Sequence, residues 1–257
     1  RQCLRPDMDV QLISATDSWA QFAIAGPNAR HVIEAVVDPE HDISNECFPF
    51  MACGEITVCG GTPARLFRIS FSGELAYEIA VPARYGDAMI RALMQAGEPY
   101  DITPYGTEAL GVMRIEKGHV TGNELNGTIT ARNIGMGRMV SAKKDSIGAV
   151  LAGREALVAE DGLYLVGLEA VDGKPVTAGA HLFAEGTPVD PAHDEGYVTS
   201  AAYSPHMECS IGLGFITGGA TRHGEIVRLM NPLEGRSGLA RICSPHFIDP
   251  EGERLRG

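Results

Sequence analysis

Six short apolar segments, separated by glycine-containing turns, restrict the final part of this chain to an all-β fold. The segments are Leu163–Leu168, Ala180–Phe183, Gly196–Ser200, Ile211–Ile216, Ile226–Met230 and Gly238–Cys243. Turn pairs such as Asp172-Gly173 and Gly218-Gly219 lie between them, and short strands at this spacing are typical of a small barrel or sandwich. We therefore predict a small C-terminal β-barrel domain over residues 158–257, after a boundary near residue 157.

The preceding part of the chain alternates strand-like segments with amphipathic helices. Apolar residues at helical spacing predict helices over 29–37, 85–97 and 107–117, which end at Asp38-Pro39, Gly97 and Gly118. Thr107 is the predicted N-cap of the third helix. Strands mixed with helices predict an α+β domain over residues 1–157.

The acidic composition limits the possible partners. The 257 residues carry a formal net charge of -12, which argues against binding to nucleic acid or to anionic membrane surfaces. No apolar segment approaches the roughly 20 residues that cross a bilayer, and the first residues lack the apolar core of a signal peptide. We therefore predict a soluble, cytoplasmic protein, with Arg1 inside a longer chain.

The six cysteines do not form a disulfide framework or a C-x-x-C pair. We predict reduced thiols. Cys47, Cys53 and Cys59 are spaced by six residues, and we expect them to be buried or half-buried rather than metal ligands.

The segment from Arg68 to Pro82 places two carboxylates around a glycine turn between two strand-like runs. In the second run Glu78 alternates with Tyr77 and Ile79, so period-two geometry turns the carboxylate away from its apolar neighbours. A carboxylate accepts hydrogen bonds through two oxygens, which suits a heterocycle that offers a ring N–H beside an exocyclic amine, such as a pterin or a guanine. From spacing alone, solvation of a hairpin is the favoured explanation for Glu74 and Glu78 at this point.

Several common cofactor motifs are absent from the sequence. It contains no P-loop, no H-E-x-x-H and no G-x-S-x-G elbow. The Gly212-x-Gly214 pair lies inside a β-type segment without a following helix, so it does not indicate a dinucleotide site. The glycine-rich loop over residues 118–127 is suited to passing over a ligand, although an ordinary surface loop would look the same.

Four short motifs resemble those of the folate-dependent aminomethyltransferases of the glycine-cleavage T-protein type. They are Ser70-Phe-Ser-Gly-Glu-Leu-Ala-Tyr-Glu-Ile79, Arg114-Ile-Glu-Lys-Gly118, Asn123-Glu124 and Asp145-Ser-Ile-Gly148. Their order and separation match throughout, so the resemblance covers nearly the whole chain. It implies a T-protein-like α+β folate-binding domain, built from an antiparallel or mixed sheet and helices, followed by the family's C-terminal β-barrel.

Longer segments resemble the C-terminal part of the alpha subunits of heterotetrameric sarcosine oxidases. These segments are Phe67–Ile79, Ile102–Gly111, Arg114–Glu124 and Asp249–Arg256. The likeness implies that the chain binds tetrahydrofolate and captures the one-carbon unit of oxidised sarcosine as 5,10-methylenetetrahydrofolate. The implied partners are folate and the other segments and subunits of the oxidase. Flavin and NAD sites are expected only in other parts of that complex.

The resemblance implies folate-binding roles for five residues. Glu78 corresponds to the family's pterin-binding glutamate and would accept hydrogen bonds from the pterin N–H and amine. Phe71 takes the place of an aromatic residue that stacks on folate, and Tyr77 is the next aromatic position and would orient the hairpin. Glu74 is a turn residue with a secondary role. His119 replaces a tyrosine, and it either donates to the ligand or packs the loop.

The chain also departs from the family pattern. Leu110 stands where the T-proteins have an arginine, so a charge contact to folate is lost or supplied elsewhere. The family's catalytic aspartate lies upstream of this sequence, so we expect the chain alone to be catalytically incomplete. Lys143 and Lys144 are the nearest basic pair for the folate tail, but a solvated loop explains them better. No metal site is expected.

Two other functions fit the same residues. One is a free-standing glycine-cleavage aminomethyltransferase that acts with a lipoyl carrier. The other is a non-catalytic structural module with a vestigial folate site. Folate binding, and its dependence on Glu78, would separate these alternatives.

Overall fold

The computed structural model describes residues 5–141, 143–144, 146, 148–159 and 161–257. The chain folds into two compact units. The sheet unit comprises residues up to 70, 74–104 and 253–257, and the barrel unit comprises residues 71–73 and 105–252. The chain therefore passes between the units more than once. The predicted sequence boundary near residue 157 remains a prediction.

The sheet unit is built on four antiparallel strands. The strands are β1 (Trp19–Ala25), β2 (Cys53–Val58), β3 (Thr62–Phe67) and β4 (Ala76–Pro82), in the spatial order β1-β4-β3-β2. Helices α1 (Ala29–Glu34) and α2 (Gly86–Gly97) pack on one face of this sheet. Residues such as Ile33, Leu66, Ile79 and Leu93 fill the core between them and are almost fully buried.

Strand β4 is a central strand, and its alternation decides which side chains reach the core. Tyr77, Ile79 and Val81 are fully buried in the same apolar cluster as Leu66 of β3. The Glu78 side chain points in the direction opposite to these three, so it lies on the other face of the sheet, where it is half-buried. The predicted separation of Glu78 from its apolar neighbours is therefore confirmed.

The barrel unit closes six antiparallel strands in the order β10-β5-β8-β7-β6-β9. The strands are β5 (Leu163–Ala170), β6 (His181–Ala184), β7 (Gly196–Ser204), β8 (Cys209–Thr217), β9 (Ile226–Asn231) and β10 (Arg236–Cys243). Each of the six predicted segments contributes one strand. The predicted α+β fold with a C-terminal β-barrel is confirmed.

The barrel has an apolar interior and an apolar patch on its outer wall. Val166, Leu168 and Ile242 belong to the inner cluster. Ile211, Leu213 and Phe215 of β8 belong to a second cluster, together with Ile115 of helix α3 (Thr107–Lys117). Helix α3 therefore covers part of the outer wall, and β8 is buried on both faces.

Short helices complete the description. They are α4 (Ala149–Ala152), α5 (Glu155–Val158) and α6 (Glu253–Arg256), with single 3-10 turns at Thr16–Ser18, Ala83–Tyr85, Glu98–Tyr100, Gly137–Met139 and Gly219–Arg222. Across the described ranges, no helix is both long and apolar enough to cross a membrane.

Three local predictions were wrong. Helix α1 ends at Glu34, because Val36 and Val37 leave the helix and Val37 forms a β-bridge with Val58. The N-cap of α3 is Gly106 and not Thr107, which is the first helical residue. Arg68 to Phe71 do not continue a strand, since β3 ends at Phe67.

Candidate functional site

Glu78 lies on the face of the sheet that points away from the apolar core. In register it stands opposite Ala23 of β1 and Phe67 of β3. Its carboxylate oxygen Oε2 accepts a hydrogen bond from the side-chain amide of Gln21 on β1. This donor is neutral, so it leaves the charge on the carboxylate and lone pairs on both oxygens.

Charged groups on the same sheet face are engaged with one another. The Arg65 guanidinium lies 4.2 Å from the ring centroid of Trp19, and Arg65 Nε is 3.8 Å from an oxygen of Glu55. Stacking on tryptophan and a nearby carboxylate both favour this position of the arginine. The outer face of the sheet therefore carries the Glu78 carboxylate together with an arginine, Arg65, that is engaged by Trp19 and Glu55.

Tyr77 points the opposite way, into a buried polar cluster. It is fully buried, and its hydroxyl accepts a hydrogen bond from Arg30 Nε at 3.0 Å. Asn45 Oδ1 accepts from both Arg30 and Arg68, and the Phe48 carbonyl accepts from Arg68 at 3.0 Å. Burial lowers the pKa of the Arg68 guanidinium. These contacts hold the start of β4 against the core, so Tyr77 fixes the strand and does not face outward.

Glu74, in the turn before β4, forms an ion pair. Its Oε1 lies 2.8 Å from Arg254 Nη1 of α6. Both side chains are partly exposed, and such pairs contribute about 1 kcal/mol or less to stability. The arrangement ties helix α6 to the sheet unit.

Phe71 and His119 form an aromatic pair inside the barrel unit. Their ring centroids are 5.8 Å apart with an interplanar angle of 22°, and Phe71 is 40% exposed. His119 Nδ1 is 3.0 Å from the Phe71 carbonyl oxygen, so Nδ1 carries the proton and donates it. Burial lowers the pKa of His119, although the bond to Phe71 acts in the other direction. The neutral imidazole then keeps an acceptor lone pair on Nε2.

A buried ion pair positions the segment that carries His119. Arg114 Nη1 lies 3.2 Å from Glu124 Oε2 and also donates to the His119 carbonyl. Glu124 is fully buried and accepts from the Thr121 amide at 2.7 Å. On β7, the hydroxyls of Thr199 and Ser200 each donate to Glu124 Oε1 at 2.6 Å.

The pKa of Glu124 is lowered by these surroundings. Burial by itself raises the pKa, but the hydrogen bonds from Ser200, Thr199 and the Thr121 amide, together with the Arg114 charge, outweigh it. The register of β7 against β8 shifts between Val198 and Ser200, so an irregularity in the strand brings both hydroxyls toward the carboxylate. Glu124 is thus a charged anchor of the loop over residues 118–127.

A second buried ion pair supports residues 71–73. Lys117 Nζ lies 2.9 Å from Asp249 Oδ2, and both side chains are less than a tenth exposed. Gly73 has φ of +90°, and a Cβ there would meet the Lys117 side chain at 2.9 Å. Glycine is therefore required at this turn because any side chain would meet both backbone strain and a close neighbour.

The remaining predicted groups are dispersed. Leu110 is half-buried on α3, and Lys143 and Lys144 are exposed. Cys47, Cys53 and Cys59 are exposed, so their predicted burial was wrong. Cys53 begins strand β2 and Cys59 lies in the turn of the β2–β3 hairpin, whereas Cys47 lies in the segment before β2. Cys3, Asp145 and Ile147 lie outside the described residues.

No metal centre is found in the part of the chain that the structure describes. It contains no group of three or more His, Cys, Asp or Glu side chains arranged to hold an ion.

Comparisons with known proteins agree with the two-part architecture. Residues 1–144 match the family model described as the GCVT N-terminal domain, and residues 164–249 match the glycine cleavage T-protein C-terminal barrel domain. The chain belongs to the glycine cleavage T-protein family. The predicted family resemblance is thereby confirmed, and helix α3 lies within the residues that match the N-terminal model.

Individual relatives within the family differ in similarity. The chain is 51% identical to the sarcosine oxidase subunit alpha of Rhizobium meliloti over 99% of its own length and 26% of that protein. It is 27% identical to an aminomethyltransferase of Clostridium botulinum, over 82% of this chain and 55% of that protein. The chain therefore spans about a quarter of the length of the sarcosine oxidase relative.

A solved structure shares the fold. The glycine cleavage system aminomethyltransferase T of Bartonella henselae superposes with a TM-score of 0.72 and 21% identity, covering 90% of this chain and 60% of that one. At this identity the likeness concerns the fold alone.

The sequence interpretation missed most partners of the predicted site residues. Gln21 contacts Glu78 from 57 residues away, and Arg30 contacts Tyr77 from 47 residues away. Asn45 joins the same polar cluster through Arg30. Alternation in β1, which predicts that Gln21 shares a face with Ala23, was the available signal for Gln21. No local pattern marks Arg30 or Asn45.

Proposed function

We propose that this chain is the tetrahydrofolate-binding part of an enzyme of the sarcosine oxidase alpha-subunit type. Its role is to capture the one-carbon unit of oxidised sarcosine as 5,10-methylenetetrahydrofolate. The observation that carries the proposal is Glu78, an outward-facing carboxylate with a neutral amide partner in a chain 51% identical to a sarcosine oxidase subunit alpha. Family membership supports the use of folate.

Glu78 is the proposed pterin ligand. A pterin presents a ring N–H beside an exocyclic amine, and a carboxylate accepts both hydrogen bonds at once through its two oxygens. Tyr77 has a supporting role, because its buried ring and its bond to Arg30 hold β4 in place. Glu74 retains the secondary role of a turn residue, with Arg254 as its partner.

Phe71 and His119 are proposed as a separate aromatic contact for folate. Phe71 offers an exposed ring face, and stacking of aromatic rings adds about 0.5–1.5 kcal/mol beyond area burial. The neutral His119 can accept a hydrogen bond at Nε2 while Nδ1 donates to the Phe71 carbonyl. In this form it donates nothing further to a ligand.

The proposed chemistry depends mainly on how the protein orients folate and the iminium, and less on proton transfer by protein side chains. A folate nitrogen bonds to the iminium carbon of oxidised sarcosine, and its proton passes to the amine nitrogen. The second folate nitrogen then bonds to the same carbon while the bond from that carbon to the glycine nitrogen breaks, so glycine leaves as the ammonium form with the proton of the second nitrogen. No electron transfer is involved in these steps. Holding the nucleophile beside the iminium replaces a bimolecular encounter, an effect on the order of several kcal/mol for well-oriented reactants.

Titration of the full-length protein with tetrahydrofolate tests the proposal. Glu78→Gln replaces one acceptor oxygen by a donor, so we expect an affinity loss of about 10- to 100-fold, since hydrogen bonds to charged groups contribute about 1.5–3 kcal/mol. The matched control is Glu55→Gln, on the same sheet and 86% exposed at its side chain, which should leave the affinity unchanged.

Three other outcomes would contradict the proposal. Absence of saturable binding in the wild type would favour a structural module with a vestigial site. An unchanged affinity in Glu78→Gln would remove this residue from the pterin site. Transfer of an aminomethyl group from a lipoyl carrier, without a requirement for sarcosine, would favour a free-standing aminomethyltransferase.

A further inference from the structure

Gln21 is the polar residue of β1 that reaches Glu78. In the β1–β4 register Glu78 stands opposite Ala23 and Gln21 stands opposite Ala80, so Gln21 and Glu78 are diagonal neighbours on the outward face. Diagonal positions are within reach of long side chains. Gln21 Nε2 donates to Glu78 Oε2, across 57 residues of sequence.

We propose that Gln21 is a positioning residue that fixes the Glu78 carboxylate for recognition of a 2-amino-4-oxo ring edge. The inference rests on the proposed folate function and deepens it. A carboxylate has about four lone-pair positions, two on each oxygen. A bidentate ring edge uses one position on each oxygen, and the Gln21 amide uses a further one on Oε2, so Gln21 and the ligand bind Glu78 together.

The neutrality of the amide matters for this role. An arginine in place of Gln21 would form a bidentate ion pair and occupy the oxygens that the ring edge needs. The arginine present on this face, Arg65, is stacked on Trp19 and lies near Glu55. Gln21 therefore orients the carboxylate without neutralising its charge.

Fixing the carboxylate affects both affinity and selectivity. A free glutamate side chain loses rotamer freedom when it binds, and a side chain held beforehand loses less. Because both hydrogen bonds of the ring edge depend on one carboxylate orientation, the exocyclic amine is recognised only when Glu78 is held. Gln21 thereby determines how well the site distinguishes a 2-amino ring from one that lacks the amine.

The test compares Gln21→Met with Gln95→Met in the full-length protein. Methionine has a similar length and no donor, and Gln95 is an exposed residue of α2 that serves as the matched control. The probes are tetrahydrofolate and its 2-desamino-2-methyl analogue. We expect Gln21→Met to bind tetrahydrofolate about tenfold more weakly, the effect of one hydrogen bond, and to lose most of its preference over the analogue.

A double-mutant cycle with Glu78→Gln separates this inference from the function on which it rests. If Gln21 acts through Glu78, Gln21→Met causes no further loss in the Glu78→Gln background. An equal loss in both backgrounds, or an affinity and preference equal to those of Gln95→Met, overturns the inference while leaving folate binding intact. If the wild type shows no saturable binding of tetrahydrofolate, the proposed function itself fails. If the wild type binds but Glu78→Gln changes nothing, Glu78 is removed from the pterin site, and the role of Gln21 fails with it.

Discussion

Replacing Glu124 by glutamine should loosen the loop over residues 118–127 without changing its shape. The side chain is fully buried and accepts hydrogen bonds from Thr121, Thr199, Ser200 and Arg114. Glutamine can keep an oxygen toward the Thr121 amide, and the two hydroxyls can turn to accept from its NH2 group. The main change is the loss of the negative charge that faces the Arg114 guanidinium. The Arg114 side chain is 9% exposed.

The magnitude follows from that unpaired charge. Removing one partner of a buried ion pair costs about 3–5 kcal/mol. Arg114 keeps its bonds to Ser200 and to the His119 carbonyl, so we expect the lower end, about 3 kcal/mol. The double variant Arg114→Met, Glu124→Gln removes both charges and should recover about 2 kcal/mol relative to the sum of the single variants.

Amide hydrogen exchange of the full-length protein measures this effect locally. A loss of about 3 kcal/mol in opening free energy corresponds to exchange about 150-fold faster in the loop and in β7. Glu169→Gln is the matched control, because it removes an Arg–Glu pair at 3.6 Å on the same barrel, with both side chains partly exposed. That exposed pair should contribute no more than about 1 kcal/mol.

The result also depends on pH. The pKa of Glu124 is held below the usual value of 4.5, so the advantage of the wild type is fully present above pH 4.5 and is lost as the pH falls through the lower folded pKa. If Glu124→Gln exchanged no faster than Glu169→Gln at neutral pH, the view of Glu124 as a charged anchor would be refuted.

Two further predictions concern groups whose pKa values are shifted by burial. The pKa of His119 is lowered from 6.5, so the folded state binds fewer protons than the unfolded state and stability should fall as the pH drops below 6.5. His119→Gln should remove that part of the acid sensitivity in thermal unfolding at pH 7.5 and pH 5; an unchanged sensitivity would contradict the assignment. Burial raises the pKa of Cys243 to about 12, so iodoacetamide at pH 8 should alkylate the exposed Cys53 well before Cys243, as peptide mass analysis would show. Equal rates would mean that the Cys243 thiol is accessible.

Local sequence patterns predicted the barrel, because the apolar residues and turn glycines that indicate each strand lie within that strand and its flanking turns. Apolar residues alternate with other residues, or occur in clusters, between turn glycines in Ile226–Asn231 and Arg236–Cys243. This pattern is visible within each short segment. Helix α3 was predicted to its last residue because Gly118 adopts a left-handed conformation at its end. These elements depend on nearest neighbours along the chain.

The contacts around the candidate site depend on distant residues and were not predictable. Arg68 leaves the strand because its guanidinium is buried against Asn45, Phe48 and the Arg256 carbonyl. The carboxylate of Glu124 meets hydroxyls 75 and 76 residues away, at an irregularity in β7. Sequence spacing identified Glu78 as outward-facing, but its amide partner lies on another strand.

Helix α3 lies within one family-defined part of the chain but packs against the other, and this matters for the design of chimeric proteins. Its residues fall within the match to the N-terminal domain model, yet Ile115 belongs to the apolar cluster on the outer wall of the barrel. Arg114 and Glu116 also bond to hydroxyls of β7. A chimera that exchanged only residues 164–249 with a relative would pair a foreign barrel with this helix. Compatible hybrids should therefore inherit α3 and the barrel from the same parent.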